Sequence, residues 1–249
     1  MSLEILNSTS IFWMLLAAVV FGVLLFVKAP YGRYARGESR FSIDNKLGWV
    51  MMEFPSFFIM LYFLVTGTIN TYSLFLGILW LAHYFNRSFV FPLRLKTEGK
   101  RMSLSIMFLG ALFNVVNAGL NGYLLAFISD DKAGAFFAWN FYVGLGLFLL
   151  GAWVNISSDN VLLGLRKDTG SSYKIPYGGF YKYVSCPNML GEIIEWGGFA
   201  IMAWNLPALS FFIWTFANLL PRAISHHQWY RQSFEDYPKE RKAIFPFVK

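Results

Sequence analysis

The chain has 249 residues, of which 56% are hydrophobic, 20% aromatic and only 14% charged. Soluble domains carry about 25% charged residues, so this composition excludes an ordinary soluble domain and points to a polytopic membrane protein. A single cysteine, Cys186, excludes a disulfide framework and a cysteine-built metal site, while a formal net charge of +7 leaves nucleic acid or anionic lipid open until the charges are placed.

Seven apolar runs follow one another at 12–27, 47–66, 71–92, 103–128, 135–154, 188–204 and 205–220. Each is near the roughly 20 residues that cross a bilayer as a helix. The last two are short and meet at "WNLPAL", which reads as a tight helical hairpin. No positive segment precedes the first run, so it reads as a span and not as a cleavable signal.

The lysines and arginines alternate with the runs. None precedes the first run. The first loop holds Lys28, Arg33, Arg36, Arg40 and Lys46, and the second none. The third holds Arg94, Lys96, Lys100 and Arg101, the fourth only Lys132, and the fifth Arg166, Lys167, Lys174 and Lys182. The sixth has none, the tail from Pro221 has six, and Arg87 lies inside the third run. Nineteen of the 21 cations therefore fall on one side, as the positive-inside rule requires. The expected fold is an all-α integral membrane protein, a seven-transmembrane helical bundle with its N-terminus outside or lumenal and its C-terminus cytosolic. The positive charge then reflects topology, and no nucleic-acid surface is expected. Residues 1–249 read as one domain without internal repeats, heptads or low-complexity segments.

Ionisable groups inside the runs need a reason, because a charge at the bilayer centre costs about 2.5–3.5 kcal/mol on insertion scales. Glu53 lies in "MMEFPSFF", two residues before Pro55. His83, Tyr84 and Arg87 share about one turn of "HYFNRSF". Asn114, Asn117 and Asn121 form one helical stripe, which reads as interhelical glue. Glu192 and Glu195 lie one turn apart in "GEIIEW". Carboxylates in such places mark functional cavities, although Glu195 could equally be an ion-pair partner of Arg87 or Arg222. The loop from 155 to 188 is too long and too aromatic for a linker. With the tail it forms a basic, aromatic, glycine-containing surface that suits a phosphorylated, flat-ringed ligand. There is no G-x-G-x-x-G, Walker loop or H-E-x-x-H, no G-x-S-x-G, and three histidines are too few for a His-rich di-iron site.

The motifs "HYFNRSFV", "NGYLLAF", "SYKIPYGGFYKYVSCPN", "GEIIEW" and "FEDYPKERKAIFPF" resemble, in the same order, those of the steroid 5α-reductases, the 3-oxo-5α-steroid 4-dehydrogenases. The likeness runs from about Lys28 to the end and is densest after Asn155. It implies a seven-helix membrane enzyme that uses NADPH to reduce the C4–C5 double bond of a 3-oxo-Δ4 steroid. It assigns Glu53 and Tyr84 to the substrate's 3-keto oxygen, with Tyr84 as proton donor and Arg87 in support. It assigns Asn155, Asp159, Arg166, Tyr173, Asn188, Glu192, Arg222, His226 and Tyr230 to NADPH, so that residues 155–249 carry most of the cofactor site. No metal site is implied. The implied partners are a steroid or related lipophilic enone and membrane lipids, with the protein as a monomer. The implied location is the endoplasmic reticulum of a eukaryote or the inner membrane of a bacterium. Three positions depart from the family pattern. Met52 stands where glutamine is common, and Leu95 and Glu98 replace an Asn and an Arg, for which Arg94, Lys96 or Lys100 could substitute. Polyprenol reductases and trans-2-enoyl-CoA reductases share the C-terminal pattern less fully. Integral-membrane S-adenosylmethionine-dependent methyltransferases share a C-terminal hairpin, and a proton-coupled transporter would need inverted repeats.

Overall fold

The computed structural model describes residues 1–28, 41–97, 99–128, 133–165 and 173–246. Among them run seven long helices: α1 (Leu3–Phe26), α2 (Asn45–Thr66), α3 (Thr71–Phe85), α4 (Leu104–Tyr123), α5 (Trp139–Leu165), α6 (Pro187–Ala203) and α7 (Leu206–Ser233). Each apolar run of the sequence overlaps one of them. Five segments, Leu3–Phe26, Asn45–Thr66, Thr71–Arg94, Leu104–Ile128 and Trp139–Leu165, are long and apolar enough to cross a membrane. A helix satisfies all its backbone hydrogen bonds internally, which is what a lipid solvent demands. The chain is thus a multi-pass helical membrane protein.

The residues form two compact units. The first comprises Met1–Phe12, Pro30–Phe141 and Asn205–Pro207. Its α2 starts beneath a short antiparallel ribbon, Ser42–Asp44 (β1) against Arg101–Ser103 (β2), with Ser42 opposite Ser103. Asp44 then caps α2, its Oδ1 accepting from the amides of Lys46 and Leu47 at 2.9 and 3.1 Å. Asn70 caps α3 in the same way through the amide of Ser73 at 2.8 Å. The strands are three residues long, too short to leave a two-residue period in the sequence, and they were not expected.

Past Phe85, α3 widens into a π-helical turn, Asn86–Val90, before a last turn at Phe91–Arg94. Pro92 follows that turn and has no N–H to donate, and the Phe91 amide reaches back five residues to the Asn86 carbonyl. Arg87 sits on the widened turn. Inside the unit, glycines let helices approach: a Cβ at Gly122 would lie 2.5 Å from the Phe63 ring, and one at Gly77 2.5 Å from Leu64. The Trp80 indole donates to the Ser56 carbonyl at 3.3 Å.

The second unit comprises Trp13–Ala29, Tyr142–Trp204 and Ala208–Lys249. Here α5 and α6 touch backbone to backbone. A Cβ on Gly151 would lie 2.2 Å from the Glu195 amide nitrogen and 2.5 Å from the Gly191 carbonyl. A Cβ on Gly191 would lie 2.4 Å from the Asn155 amide nitrogen, and one on Gly198 2.4 Å from that of Phe148. Small residues at such a crossing are the usual route to close helix packing in lipid. Trp196 and Phe199 fill the space beside it, with Trp196 edge-on to Phe211 at 4.5 Å. Trp13 of α1 meets Trp214 of α7 at 4.7 Å, and the Trp214 indole donates to the Trp13 carbonyl at 2.8 Å.

Two helices outrun their apolar segments. α5 continues to Leu165, so Asn155 and Asp159 lie on a helix and not in the expected loop. No glycine or proline interrupts residues 154–163, and hydropathy marks the edge of the lipid, not the end of a helix. α7 continues to Ser233 with Pro221 inside it. The hairpin at "WNLPAL" is present: α6 ends at Ala203, Trp204 takes a left-handed conformation at φ 48° with its amide on the Ala200 carbonyl, and α7 starts at Leu206.

The crossing of α5 and α6 gives the first expected outcome. Gly151→Ala should lower the melting temperature of the purified protein, in line with the about 1–3 kcal/mol typical of overpacking. Gly146, also on α5, has nothing within 4 Å of its missing Cβ, so Gly146→Ala should leave stability unchanged or raise it by about 0.5–1 kcal/mol. Equal melting temperatures for the two variants would contradict the close crossing.

Candidate functional site

The first unit brings Glu53 of α2 and Tyr84 of α3 to one amide. The Asn114 side chain, on α4, donates from Nδ2 to the Met52 carbonyl at 2.8 Å and to Glu53 Oε2 at 3.2 Å. Its Oδ1 accepts from the Tyr84 hydroxyl at 3.1 Å. Tyr84 and Asn114 are 4% and 3% exposed, and Glu53 is half-buried. Trp80 stacks on the Tyr84 ring at 5.3 Å and His83 meets its edge at 5.1 Å, which fixes where the phenol points. A carboxyl group and a phenol converging in an apolar unit, each with an O–H to donate when protonated, form a hydrogen-bonding centre able to hold a carbonyl oxygen and supply it a proton.

Arg87 lies one turn beyond Tyr84. Its guanidinium lies 5.0 Å from the ring centres of both Trp49 and Phe91, and its carbonyl accepts from the Trp49 indole at 3.2 Å. Stacking of this kind holds an arginine in place. Of the departures from the family pattern, Met52 packs against Gly110, where a Cβ would lie 2.4 Å from its side chain. Leu95 is buried, and Glu98 lies outside the described residues.

The second unit holds a polar cluster where α5 meets the start of α6. Asn188 Nδ2 donates to Asp159 Oδ1 at 3.0 Å, and Asn155 Nδ2 donates to the Asn188 carbonyl at 2.9 Å. Asn155 and Asp159 are buried, while Asn188 and Glu192, one turn apart on α6, are half-buried. Glu195, the other carboxylate of "EIIE", is 2% exposed and packs against α5. On α7, Arg222, His226 and Tyr230 recur every four residues and so share a face. Arg222 and His226 are half-buried, and Tyr230 is buried with its ring flat against Tyr237 at 5.3 Å. Tyr173 is exposed with its ring edge-on to Trp229 at 5.3 Å. Arg166 lies outside the described residues.

A third set of groups was not anticipated from the sequence. The tail returns to the segment before α6, with the amides of Ser185 and Cys186 on the carbonyls of Lys242 and Ala243 at 2.8 and 3.2 Å, and the Lys242 amide on the Tyr183 carbonyl at 3.1 Å. Ser185 Oγ lies 2.6 Å from both His227 Nδ1 and Tyr237 Oη, and 3.0 Å from the Lys242 carbonyl. A carbonyl can only accept, so the serine proton goes to Lys242 and the other two groups donate to Oγ. Arg241 is buried with its guanidinium over the rings of Tyr177 and Tyr237. Burial pushes the His227 imidazole below its ordinary range, and the charges of Arg231 and Lys242 add to the effect. Burial likewise raises Tyr237, against the pull of its hydrogen bonds to Ser185 and Arg241. This latch seats Asn188, three residues after Ser185. The adjacent pair His226–His227 carried the one sequence signal: neighbours on a helix point about 100° apart, so only one of them could face the cofactor set.

Comparison with known proteins places the chain in a family. A family model described as 3-oxo-5-alpha-steroid 4-dehydrogenase matches residues 100–249. The steroid 5-alpha-reductase DET2 of Gossypium hirsutum is 40% identical over 232 residues, covering 90% of each chain. That of Arabidopsis thaliana is 37% identical over 259 residues, covering 98% of this chain and 99% of the relative. The Homo sapiens 3-oxo-5-alpha-steroid 4-dehydrogenase 2 is 38% identical over 239 residues, covering 92% and 93%.

The latch gives a pH dependence whose sign follows from His227. Its folded form is held neutral below the ordinary pKa of about 6.5. In that window the unfolded chain binds more protons, so the contribution is complete above about pH 6.5 and is lost as the pH falls through the folded value. The melting temperature should therefore drop on acidification below about pH 6.5, and His227→Gln should flatten that drop. An unchanged acid profile in the variant would remove His227 as its source.

Proposed function

The chain belongs to the 3-oxo-5-alpha-steroid 4-dehydrogenase family, and on that footing we propose that it reduces the C4–C5 double bond of 3-oxo-Δ4 steroids, with NADPH as reductant. The observation that carries this reading is the convergence of Glu53 and Tyr84, from separate helices, on the Asn114 amide. An enone reductase needs such a pair: hydride arriving at C5 pushes the double-bond electrons toward the 3-keto oxygen, where negative charge develops. Tyr84 donates a proton to that oxygen, and Glu53, as the protonated acid, donates a hydrogen bond to it. The resulting enol returns to the ketone by taking a proton at C4 and giving its O–H proton back to the Tyr84 phenolate. Arg87, stacked between Trp49 and Phe91, supports the setting of Tyr84. Methyl transfer from S-adenosylmethionine and proton-coupled transport have no comparable use for this pair.

The residues of the second unit fit a nicotinamide dinucleotide. Two buried or half-buried carboxamides tied to a buried carboxylate match a ligand that carries an amide, and Arg222 on the α7 face matches its phosphates. NADPH bound there supplies the hydride. Asn188, seated by Asp159 and Asn155, offers its carboxamide to the ligand, and Glu192 lies one turn deeper on the same helix. Asn155, Asp159, Tyr173, His226 and Tyr230 complete the set, and Arg166, a guanidinium fork suited to the 2′-phosphate, belongs to it by the family pattern. All seven helices cross the membrane in this reading. The cation-rich loops and the tail face the cytosol, and the host membrane is the endoplasmic reticulum or a bacterial inner membrane. The protein acts as a monomer.

The test is product analysis after incubating purified protein with NADPH and 3-oxo-Δ4 steroids. Tyr84→Phe removes the donated proton and little volume, so turnover should fall by roughly 10²–10⁴-fold while NADPH still stabilises the protein against heat. Glu53→Leu should do the same and weaken steroid affinity. The two losses together should be less than additive, since both groups serve one oxygen. Near-wild-type turnover in both variants would contradict the assignment.

A further inference from the structure

We propose that Asn114 is a positioning residue of the reduction. It sets the Tyr84 hydroxyl and the Glu53 carboxylate relative to one another, and it is more than a hydrogen bond between helices. This rests on the roles given above to Glu53 and Tyr84.

The orientation of the amide follows from its partners. Nδ2 carries two protons, and the Met52 carbonyl and Glu53 Oε2 take one each at 2.8 and 3.2 Å. A carbonyl cannot donate, so turning the amide over would set two acceptors against each other. Oδ1 must then face Tyr84, whose hydroxyl donates to it at 3.1 Å. One planar group thus fixes a phenol from α3, a carboxylate from α2 and a main-chain oxygen of α2. The bond to main chain matters most, because it anchors the amide to the helix backbone and not to another mobile side chain. Asn114 is 3% exposed, so water does not compete for these bonds and they keep their strength.

Asn121 of the same stripe differs: its Nδ2 donates to the main-chain carbonyls of Asn117 and Pro207 at 3.0 and 3.3 Å. Asn114 joins the two side chains that serve one substrate oxygen. With the amide in place, the phenol proton reaches a substrate oxygen by turning about its own C–O bond, and the ring need not move. The amide ties the bearing of the hydroxyl to that of the carboxylate.

The test compares Asn114→Ala, Asn114→Gln and Asn121→Ala in steady-state reduction of a 3-oxo-Δ4 steroid by the full chain, with melting temperatures measured alongside. Loss of positioning by about 1 Å costs on the order of 10²-fold. Asn114→Ala should lower kcat by that order while the KM for NADPH stays unchanged. Asn114→Gln, which restores a carboxamide on a longer arm, should regain part of the loss. Asn121→Ala should lower the melting temperature with kcat within about twofold of wild type, as expected for a helix-packing bond. Wild-type kcat in both Asn114 variants would overturn the inference while leaving the reductase reading intact. Parallel losses of kcat and melting temperature in Asn114→Ala and Asn121→Ala would also overturn it, because they would make Asn114 a packing residue. A wild-type protein that leaves the steroid unreduced would bring down the reductase reading and the inference together.

Discussion

A polar group inside an apolar helical unit has to find its partner within the protein, because no water is there to replace it. An unpaired buried donor or acceptor costs about 1–3 kcal/mol, and a charged one more. In two clusters of this chain that demand is met by groups from other helices. Asn114 meets Met52, Glu53 and Tyr84, and Asn188 meets Asp159 and Asn155. Each cluster serves two purposes at once. It satisfies the buried groups, and it fixes the orientation of side chains that a reaction would use.

Backbone contact supplies the rigidity behind the second cluster. Gly151 and Gly191 bring α5 and α6 so close that no Cβ would fit, and Asn155 and Asn188 lie beside that crossing. The tail then closes over the start of α6 through Ser185, His227 and Tyr237. Asn188 is thereby held from three directions: by its own helix, by α5 and by the tail. In the first unit the π turn after Tyr84 plays a similar part, since it carries Arg87 to Trp49 and Phe91.

Much of this was legible in the sequence. Hydropathy located every long helix, because lipid-facing residues must be apolar whatever they pack against. The carboxylates inside the runs stood out by the same logic, whereas Tyr84, by itself an ordinary interfacial tyrosine, was singled out only by the family resemblance. Helix ends did not, since Asn155–Leu165 and Pro221–Ser233 stay helical after the apolar run has ended. The ribbon between Ser42–Asp44 and Arg101–Ser103 pairs residues about sixty positions apart, and local spacing is silent about that. Asn114 was visible as part of a polar stripe. Its bond to Tyr84 depends on how three helices are rotated against one another, which a single-helix pattern does not record. The Ser185–His227–Tyr237 latch was hidden for the same reason: its members come from the segment before α6, from α7 and from the tail.

The central claim is direct hydride transfer to the β-carbon of an enone, and isotope transfer measures it. Purified protein is given NADPH deuterated at the transferable nicotinamide position together with a 3-oxo-Δ4 steroid. The saturated product is then examined by mass spectrometry and NMR. Direct reduction requires deuterium at C5 of the product and a solvent-derived hydrogen at C4. A saturated product without deuterium at C5, or labelled NADPH left unconsumed beside intact steroid, would contradict it.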